Sequence, residues 1–367
     1  GYAIQAEPEG ADYVIVNTCG FIAPAKEESL EVIRRMARLK RRGSIGALIV
    51  CGCLPERERE RLLEQVPEID ALVGVFGREQ IADVLARLES DRRARPVLIP
   101  APARDAFDDR ARLRITYRHY AYLKIAEGCD RTCTFCTIPK IRGPYVSKPI
   151  EQVVEEAAEL AEDGTRELIL VAQDTTYYGS DLYGRPRLAE LIRQLEPIGG
   201  IRWIRLLYCY PDEFSDELIE TIADSPKVVP YLDLPLQHIS DRMLRLMGRG
   251  VTRSEIEGLI ERLRARVPGL VLRTTLLVGS PGEGEREFEE LLAFVRTARF
   301  ERLGVFTYYD EPETPAAKLP GHVPGKLKRK RREQLMREQQ RVAFEWSRSQ
   351  VGRTLELIID EPAPTRP

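Results

Sequence analysis

Between residues 122 and 307 six short apolar runs are separated by longer amphipathic stretches, and this alternation limits the fold more than any other feature. The apolar runs are 122–125, 167–172, 203–208, 231–234, 270–278 and 303–307. They are too short for buried helices and read as strands. The stretches between them, 150–162, 188–195, 215–223, the pair 240–247 and 253–266, and 283–297, read as helices. Strand–helix alternation builds a parallel sheet covered by helices. Six repeats predict an α/β fold of the open, partial (β/α)6 TIM-like barrel type over 115–348. Its active site is expected at the carboxyl ends of the strands.

A second, smaller alternation precedes it. Runs 13–16, 45–50 and 71–75 read as strands, and 80–88 and 55–65 as helices. Pro24 opens another helix, where its missing N–H costs nothing, and Gly43 ends it. Residues 1–91 are therefore expected to form an N-terminal parallel α/β sheet domain. Residues 92–114 mix Arg, Asp, Pro and Ala without a period and read as a solvated linker, with an extended piece at 97–99. The helix 326–340 carries Lys328, Arg329, Lys330, Arg331 and Arg332. Interleaved Glu333 and Glu338 favour a solvated face over an RNA contact. Residues 354–359 read as one strand and 362–367 as a loose tail.

Seven cysteines supply the chemistry. Cys129, Cys133 and Cys136 stand in the spacing CxxxCxxC, at the carboxyl end of the first strand of the larger alternation. Structural zinc sites need four ligands, and the nearest histidine, His119, precedes the loop. An odd cysteine count without a secretory leader argues against disulfides. Three thiolates fit a cubic iron–sulfur cluster with one iron left open for a substrate. Cys19 follows the first strand of the smaller domain, and Cys51 and Cys53 end its second, on the edge where such sheets bind ligands. Cys209 reads as a core residue. Gln173 and Asp174, Gln237 and His238, and the turn from Gly279 to Glu283 each follow a strand of the larger sheet, and Arg273 lies inside one. His238 reads more readily as a structural hydrogen-bonding group than as a ligand.

The sequence is 367 residues long, which suggests two or three domains, and its net charge is −2. That balance calls for neither nucleic acid nor a membrane. No apolar run reaches the ~18 residues of a membrane span. The absence of a leader makes a cytoplasmic location the expectation. A start at Gly1 suggests a fragment.

The three-cysteine loop, with Phe135 before its last cysteine, resembles the radical S-adenosylmethionine (SAM) superfamily. The flanks from Tyr122 to Cys129 and from Thr137 to Gly143 resemble its methylthiotransferases. Asn17-Thr18-Cys19-Gly20-Phe21-Ile22, followed by Ala25-Lys26-Glu27-Glu28-Ser29, is similar to the branch that modifies a ribosomal protein. The resemblance implies a [4Fe-4S] cluster on Cys129, Cys133 and Cys136 whose open iron binds SAM, with Phe135, Gln173, Arg273 and Gly279 contacting that nucleotide. It implies a second cluster in the full-length protein, for which Cys19 and Cys53 match the second and third ligands. The first ligand would lie before Gly1, so one cluster is expected here. Cys51 has no counterpart. Tyr309 and Glu313 depart from the family's pattern, and no site residue is expected there. Residues 349–367 match the start of the family's small C-terminal β-barrel, the TRAM domain. The implied reaction adds a methylthio group to the β-carbon of an aspartate in small-subunit ribosomal protein twelve, with an electron donor such as flavodoxin and no membrane or DNA partner. A tRNA adenosine methylthiotransferase is the alternative, and a non-catalytic metal-binding module the reading from another class.

Overall fold

The computed structural model describes residues 2–102, 107–110, 112–115 and 117–361. The chain divides into two compact units. The first comprises 1–104, 136–144 and 309–314; the second comprises 105–135, 145–308 and 315–367.

The first unit is a four-stranded parallel sheet in the order β1 (Tyr13–Thr18), β2 (Ala47–Gly52), β3 (Ala71–Val73), β4 (Val97–Leu98). Successive side chains of a strand point to opposite faces. Leu48 and Val50 of β2 therefore pack with Ile33 and Met36 of α1 (Ala23–Arg41), whereas Ala47 and Ile49 pack with Val84, Leu85 and Leu88 of the later helix Ile81–Ser90. Each fully buried aliphatic side chain contributes about 1.5–3 kcal/mol. Pro24 lies in the first turn of α1, and the chain turns away through Gly43 at φ +71°.

Two expectations are corrected here. The helix expected over 55–65 is two short helices, α2 (Cys53–Glu58) and α3 (Arg61–Gln65). Arg59 between them has φ +51°, a left-handed conformation that ends the helical hydrogen-bond ladder. The extended piece assigned to the linker is instead edge strand β4. The Leu72 N–H donates to Pro96 O (3.0 Å) and the Gly74 N–H to Leu98 O (2.8 Å). An uncovered edge of β3 would leave these groups unpaired, so a passing extended chain completes the ladder. With Ile81–Ser90 as α4, the unit holds its strands and helices in alternation.

The second unit contains a six-stranded parallel sheet. In chain order its elements begin with β5 (Tyr120–Lys124), a small hairpin of β6 (Ala126–Glu127) and β7 (Val146–Ser147), α6 (Ile150–Glu162) and β8 (Glu167–Val171). The helix α5 (Ile138–Arg142) within that hairpin counts with the first unit. Next come α7 (Ser180–Tyr183), α8 (Leu188–Leu195), β9 (Trp203–Leu206), α9 (Asp216–Asp224) and β10 (Val228–Gln237). The series ends with α10 (Asp241–Leu246), α11 (Arg253–Arg266), β11 (Val271–Val278), α12 (Glu285–Ala298), β12 (Arg302–Thr307) and α13 (Gly325–Ser349).

Strand order β12-β11-β10-β9-β8-β5 follows the sequence, and the two outermost strands are edges, so the sheet is open as expected. One face is sealed by the helices. On β11 the buried set is Leu272, Thr274, Leu276 and Val278, while Arg273, Thr275 and Leu277 alternate with it, half-buried. Local signals set the helix starts. Thr252 and Glu255 form a reciprocal capping box at α11, and Ser215 Oγ accepts the Leu218 N–H at α9.

Three further expectations change in this unit. Helix α13 is longer than 326–340, and its basic face is not wholly solvated, since Lys328 and Arg331 are buried. Residues 354–359 form no strand and pair with no strand among the described residues; a strand persists only within a ladder. The described part of the linker is not all solvated either: Phe107 is buried, and the Asp109 N–H donates to Glu156 Oε1 of α6 (3.1 Å). Linker residues 103–106 and 111, and the tail 362–367, lie outside the described residues. Among the described residues no helix is long and apolar enough to cross a membrane.

Candidate active site

The three-cysteine loop begins where β5 ends. Gly128, at φ +78°, turns the chain after β6, and Cys129 follows, buried. Cys133 and Cys136 are half-buried. Cys136 opens the segment 136–144 that counts with the first unit, and its Sγ accepts the Ile138 N–H (3.4 Å).

Within the second unit the loop is splinted by the turn after α10. The Thr134 N–H donates to Met247 O (2.9 Å), and its hydroxyl donates to Leu246 O (2.8 Å). Gly248 makes this contact possible. Its φ is +66°, and a Cβ there would stand 2.6 Å from Thr132 O. Only glycine satisfies both conditions.

Two guanidinium groups flank the loop, in different electrostatic states. Arg131 is neutralised by Asp174 (2.7 Å), Asp212 (2.6 Å) and Glu213 (3.4 Å). Arg249 donates through Nη1 to Cys133 Sγ (3.3 Å) and through Nη2 to Pro235 O (2.7 Å). The Tyr210 ring stacks with both, 4.0 Å from each guanidinium carbon. The sequence reading missed Arg249. Its only signal was a charged residue between two glycines just past a helix.

The donor set suits a cluster. The loop 129–136 supplies three thiols and no histidine, and its one carboxylate, Asp130, accepts the Tyr145 N–H (2.9 Å). Among the described residues no three Cys, His, Asp or Glu side chains converge as they would around a single metal ion. A cubane does not ask for that convergence, since each thiolate meets a different iron. Burial pushes the Cys129 thiol up to about 11, so metal binding there would release a proton.

The other expected residues are placed unevenly. Gln173 lies just past β8. Its Nε2 donates to Glu127 Oε1 (3.3 Å), and its buried Oε1 has no partner among the described residues. Gly279, directly after β11 at φ +77°, admits another side chain rather than leaving open space: a Cβ would collide with the Lys328 stem from α13. Phe135 is half-buried beside Cys136 in sequence. Arg273 is not at the carboxyl edge. It lies five residues before the end of β11, about 16 Å at strand rise, and is paired with the buried Asp233 at 2.5 Å. Asp174 is used by Arg131, and Gln237 takes a left-handed φ of +70° at the end of β10. His238 is fully buried, and burial pulls it down to about 3. Its Nδ1 accepts the N–H groups of Ile239 (2.9 Å) and Ser240 (3.0 Å) at the start of α10.

Behind Gly279 lies a buried ionic group that the sequence did not reveal. Glu283 Oε2 accepts the Gly279 N–H (2.8 Å), and Oε1 accepts from Arg331 of α13 (2.8 Å). Burial pushes the Glu283 carboxyl up to about 7, against the pull of Gly279 and Arg331. A raised acid favours the folded state most where it is protonated in both states. That contribution is full below its unfolded value near 4.5 and is lost as pH rises through about 7. Thermal melts of the parent protein should therefore lose stability between about pH 4.5 and 7, and Glu283→Gln should flatten that slope. An equal slope in both proteins would remove Glu283 as its source.

In the first unit, Cys19 and Cys53 each follow the end of a strand. Thr18 and Gly52 are register partners on β1 and β2, and each cysteine is the next residue. Adjacent strands lie about 4.8 Å apart. The Cys19 backbone exchanges hydrogen bonds with Ser29 Oγ (both 3.1 Å), and Arg142 Nη2 lies 3.6 Å from Cys53 Sγ. Cys51 Sγ lies instead beside Asn17 Oδ1 (3.8 Å), and burial pushes its thiol up to about 11. Cys209 is fully buried in the core of the second unit.

The radical SAM superfamily model matches residues 123–295, and that of the uncharacterised protein family UPF0004 matches 1–74. The chain is 46% identical over 368 residues to a protein of Lachnoclostridium phytofermentans named ribosomal protein uS12 methylthiotransferase RimO, covering 98% of this chain and 81% of that one. It is 48% identical to a protein of the same name from Anaeromyxobacter sp. (strain K), covering 98% and 76%. Among solved structures it is similar to the radical SAM methyltransferase TsrM from Kitasatospora setae (TM-score 0.63, 17% identity, 83% of this chain and 63% of that one). It is also similar to the cobalamin-dependent radical enzyme OxsB (TM-score 0.57, 13% identity, 89% and 48%). At those identities the likeness concerns the fold alone.

Proposed function

From this chain's membership of the RimO family of ribosomal protein uS12 methylthiotransferases, we propose that it adds a methylthio group to the β-carbon of an aspartate in that ribosomal protein. The observation that carries the reading is the three-thiol loop at the carboxyl end of β5 in an open parallel sheet. Cys129, Cys133 and Cys136 hold a [4Fe-4S] cluster. When bound, that cluster and SAM supply a radical able to take hydrogen from an unactivated C–H bond, which a general base cannot do.

The residues divide the remaining work. Gln173 offers its unpartnered Oε1 to the amino group of SAM, because a buried acceptor without a donor is costly. Phe135 packs beside the nucleoside, whereas the space at Gly279 is taken by the Lys328 stem. Arg273 is left out, since its charge is matched by Asp233 away from the carboxyl edge. Cys19 and Cys53 would provide two of the thiolates that hold a second cluster, the group that would supply sulfur. A flavodoxin-type donor supplies the electron, and the setting is cytoplasmic.

Two measurements test this. Anaerobic reconstitution should load about four irons for the cluster on Cys129, Cys133 and Cys136; a protein that stays free of iron would contradict the assignment. Offered uS12 and tRNA in parallel with SAM and a reductant, the enzyme should thiomethylate an aspartate of the protein. Modified adenosine with unmodified uS12 would overturn the choice of target.

A further inference from the structure

We propose that Arg249 sets the reduction potential of the cluster held by Cys129, Cys133 and Cys136. This rests on the cluster assignment above and adds a residue to it. Arg249 is buried, 5% exposed, and touches one of the three cluster thiols, Cys133 Sγ, at 3.3 Å. Among the described residues no carboxylate forms an ion pair with it. The neighbouring Arg131 shows what a neutralised guanidinium looks like here, with three acids around it. Arg249 therefore brings an unmatched positive charge to the sulfur.

Its position is fixed from every side. Nη2 is spent on Pro235 O, the flat face lies on Tyr210, and the Tyr210 hydroxyl donates to the Arg249 carbonyl. Gly248 and Gly250, both at positive φ, fold the backbone around it. Burying an arginine this way is costly unless its charge is answered. The anionic thiolates of the loop are the answer within reach. A donor and a positive charge at a cluster sulfur favour the more negative, reduced state. One electron enters the cluster from an external one-electron reductant, and the guanidinium keeps its protons throughout.

The test is an electron-resonance-monitored redox titration of the reconstituted full chain, without SAM, using titanium(III) citrate as reductant. Iron and sulfide are assayed on the same samples. Arg249→Met should lower the reduced-to-oxidised ratio at fixed potential at least tenfold, a shift of about 59 mV for a one-electron couple. Arg249→Lys, which keeps the charge and loses the planar fork, should fall between Met and the parent. Arg245→Met, the same charge change on the exposed face of α10, should leave the potential in place.

Unchanged potentials in both Arg249 variants at full iron content would overturn the proposal. So would an equal shift in Arg245→Met, which would trace the effect to net charge. Loss of iron from both Arg249 variants would show that the residue maintains the loop instead of tuning it. A parent protein without iron would defeat the cluster assignment itself, and the iron assay separates that failure from the others.

Discussion

Cys133→Ala should abolish SAM cleavage: 5′-deoxyadenosine should fall to the background of protein-free controls, and bound iron should drop by about four per chain. The reason is the size of the ligand set. Three thiolates leave one iron open and none in reserve, and the loop 129–136 offers no histidine as a substitute. Cys133 is only half-buried, so removing one sulfur should cost the fold no more than about 1 kcal/mol. Melting of the metal-free variant should track that of the metal-free parent. Cys209→Ala makes the contrast. That residue is fully buried in the core, so its loss should lower stability and leave iron unchanged. If Cys133→Ala retains iron and cleaves SAM, the ligand assignment is wrong.

The largest stability effect is expected at Lys148. Its Nζ lies 2.6 Å from both carboxylate oxygens of Glu156 and 2.9 Å from Asp109 Oδ2. Lysine and glutamate are 1% and 3% exposed. Replacing Lys148 with Met leaves a carboxylate stranded away from water. Breaking one side of a buried pair costs about 3–5 kcal/mol. In a unit of this size that corresponds to a melting point lower by roughly 10 °C. The double variant Lys148→Met/Glu156→Leu removes both charges and should recover most of the loss, because the penalty lies in the unpaired charge. Thermal melts of the two variants decide the matter, and a single-variant drop below about 1 kcal/mol would show the pair to be solvated.

Much of the chain is legible in its sequence, because helix and strand periods are local. α6, α8 and α11 begin and end where the periodicity placed them, and the six strands of the larger sheet lie within a few residues of the expected runs. The ligand loop is local too, since its three thiols lie within eight residues and their spacing is written in the chain. Cys19 and Cys53 are distant in sequence, yet strand alternation alone put both at one sheet edge, and the pairing of β1 with β2 agrees.

Where sequence and fold differ, contacts between distant segments decided. Val97–Leu98 became a strand because β3 had an edge to complete. Residues 354–359 did not, since they join no strand ladder among the described residues. Lys328 and Arg331 looked solvated because charge pattern says nothing about which turn of a helix meets a buried Glu283. Arg273 seemed available, but Asp233, forty residues away in sequence, claims its charge. Arg249 illustrates the division most plainly: nothing in its neighbours on the chain points to Cys133, 116 residues earlier. Sequence by itself determined which residues can donate sulfur and which runs can be strands. Only the tertiary structure decided which charges are matched, because a charge is matched by whatever the fold brings within a few ångströms, and that distance is not written along the chain.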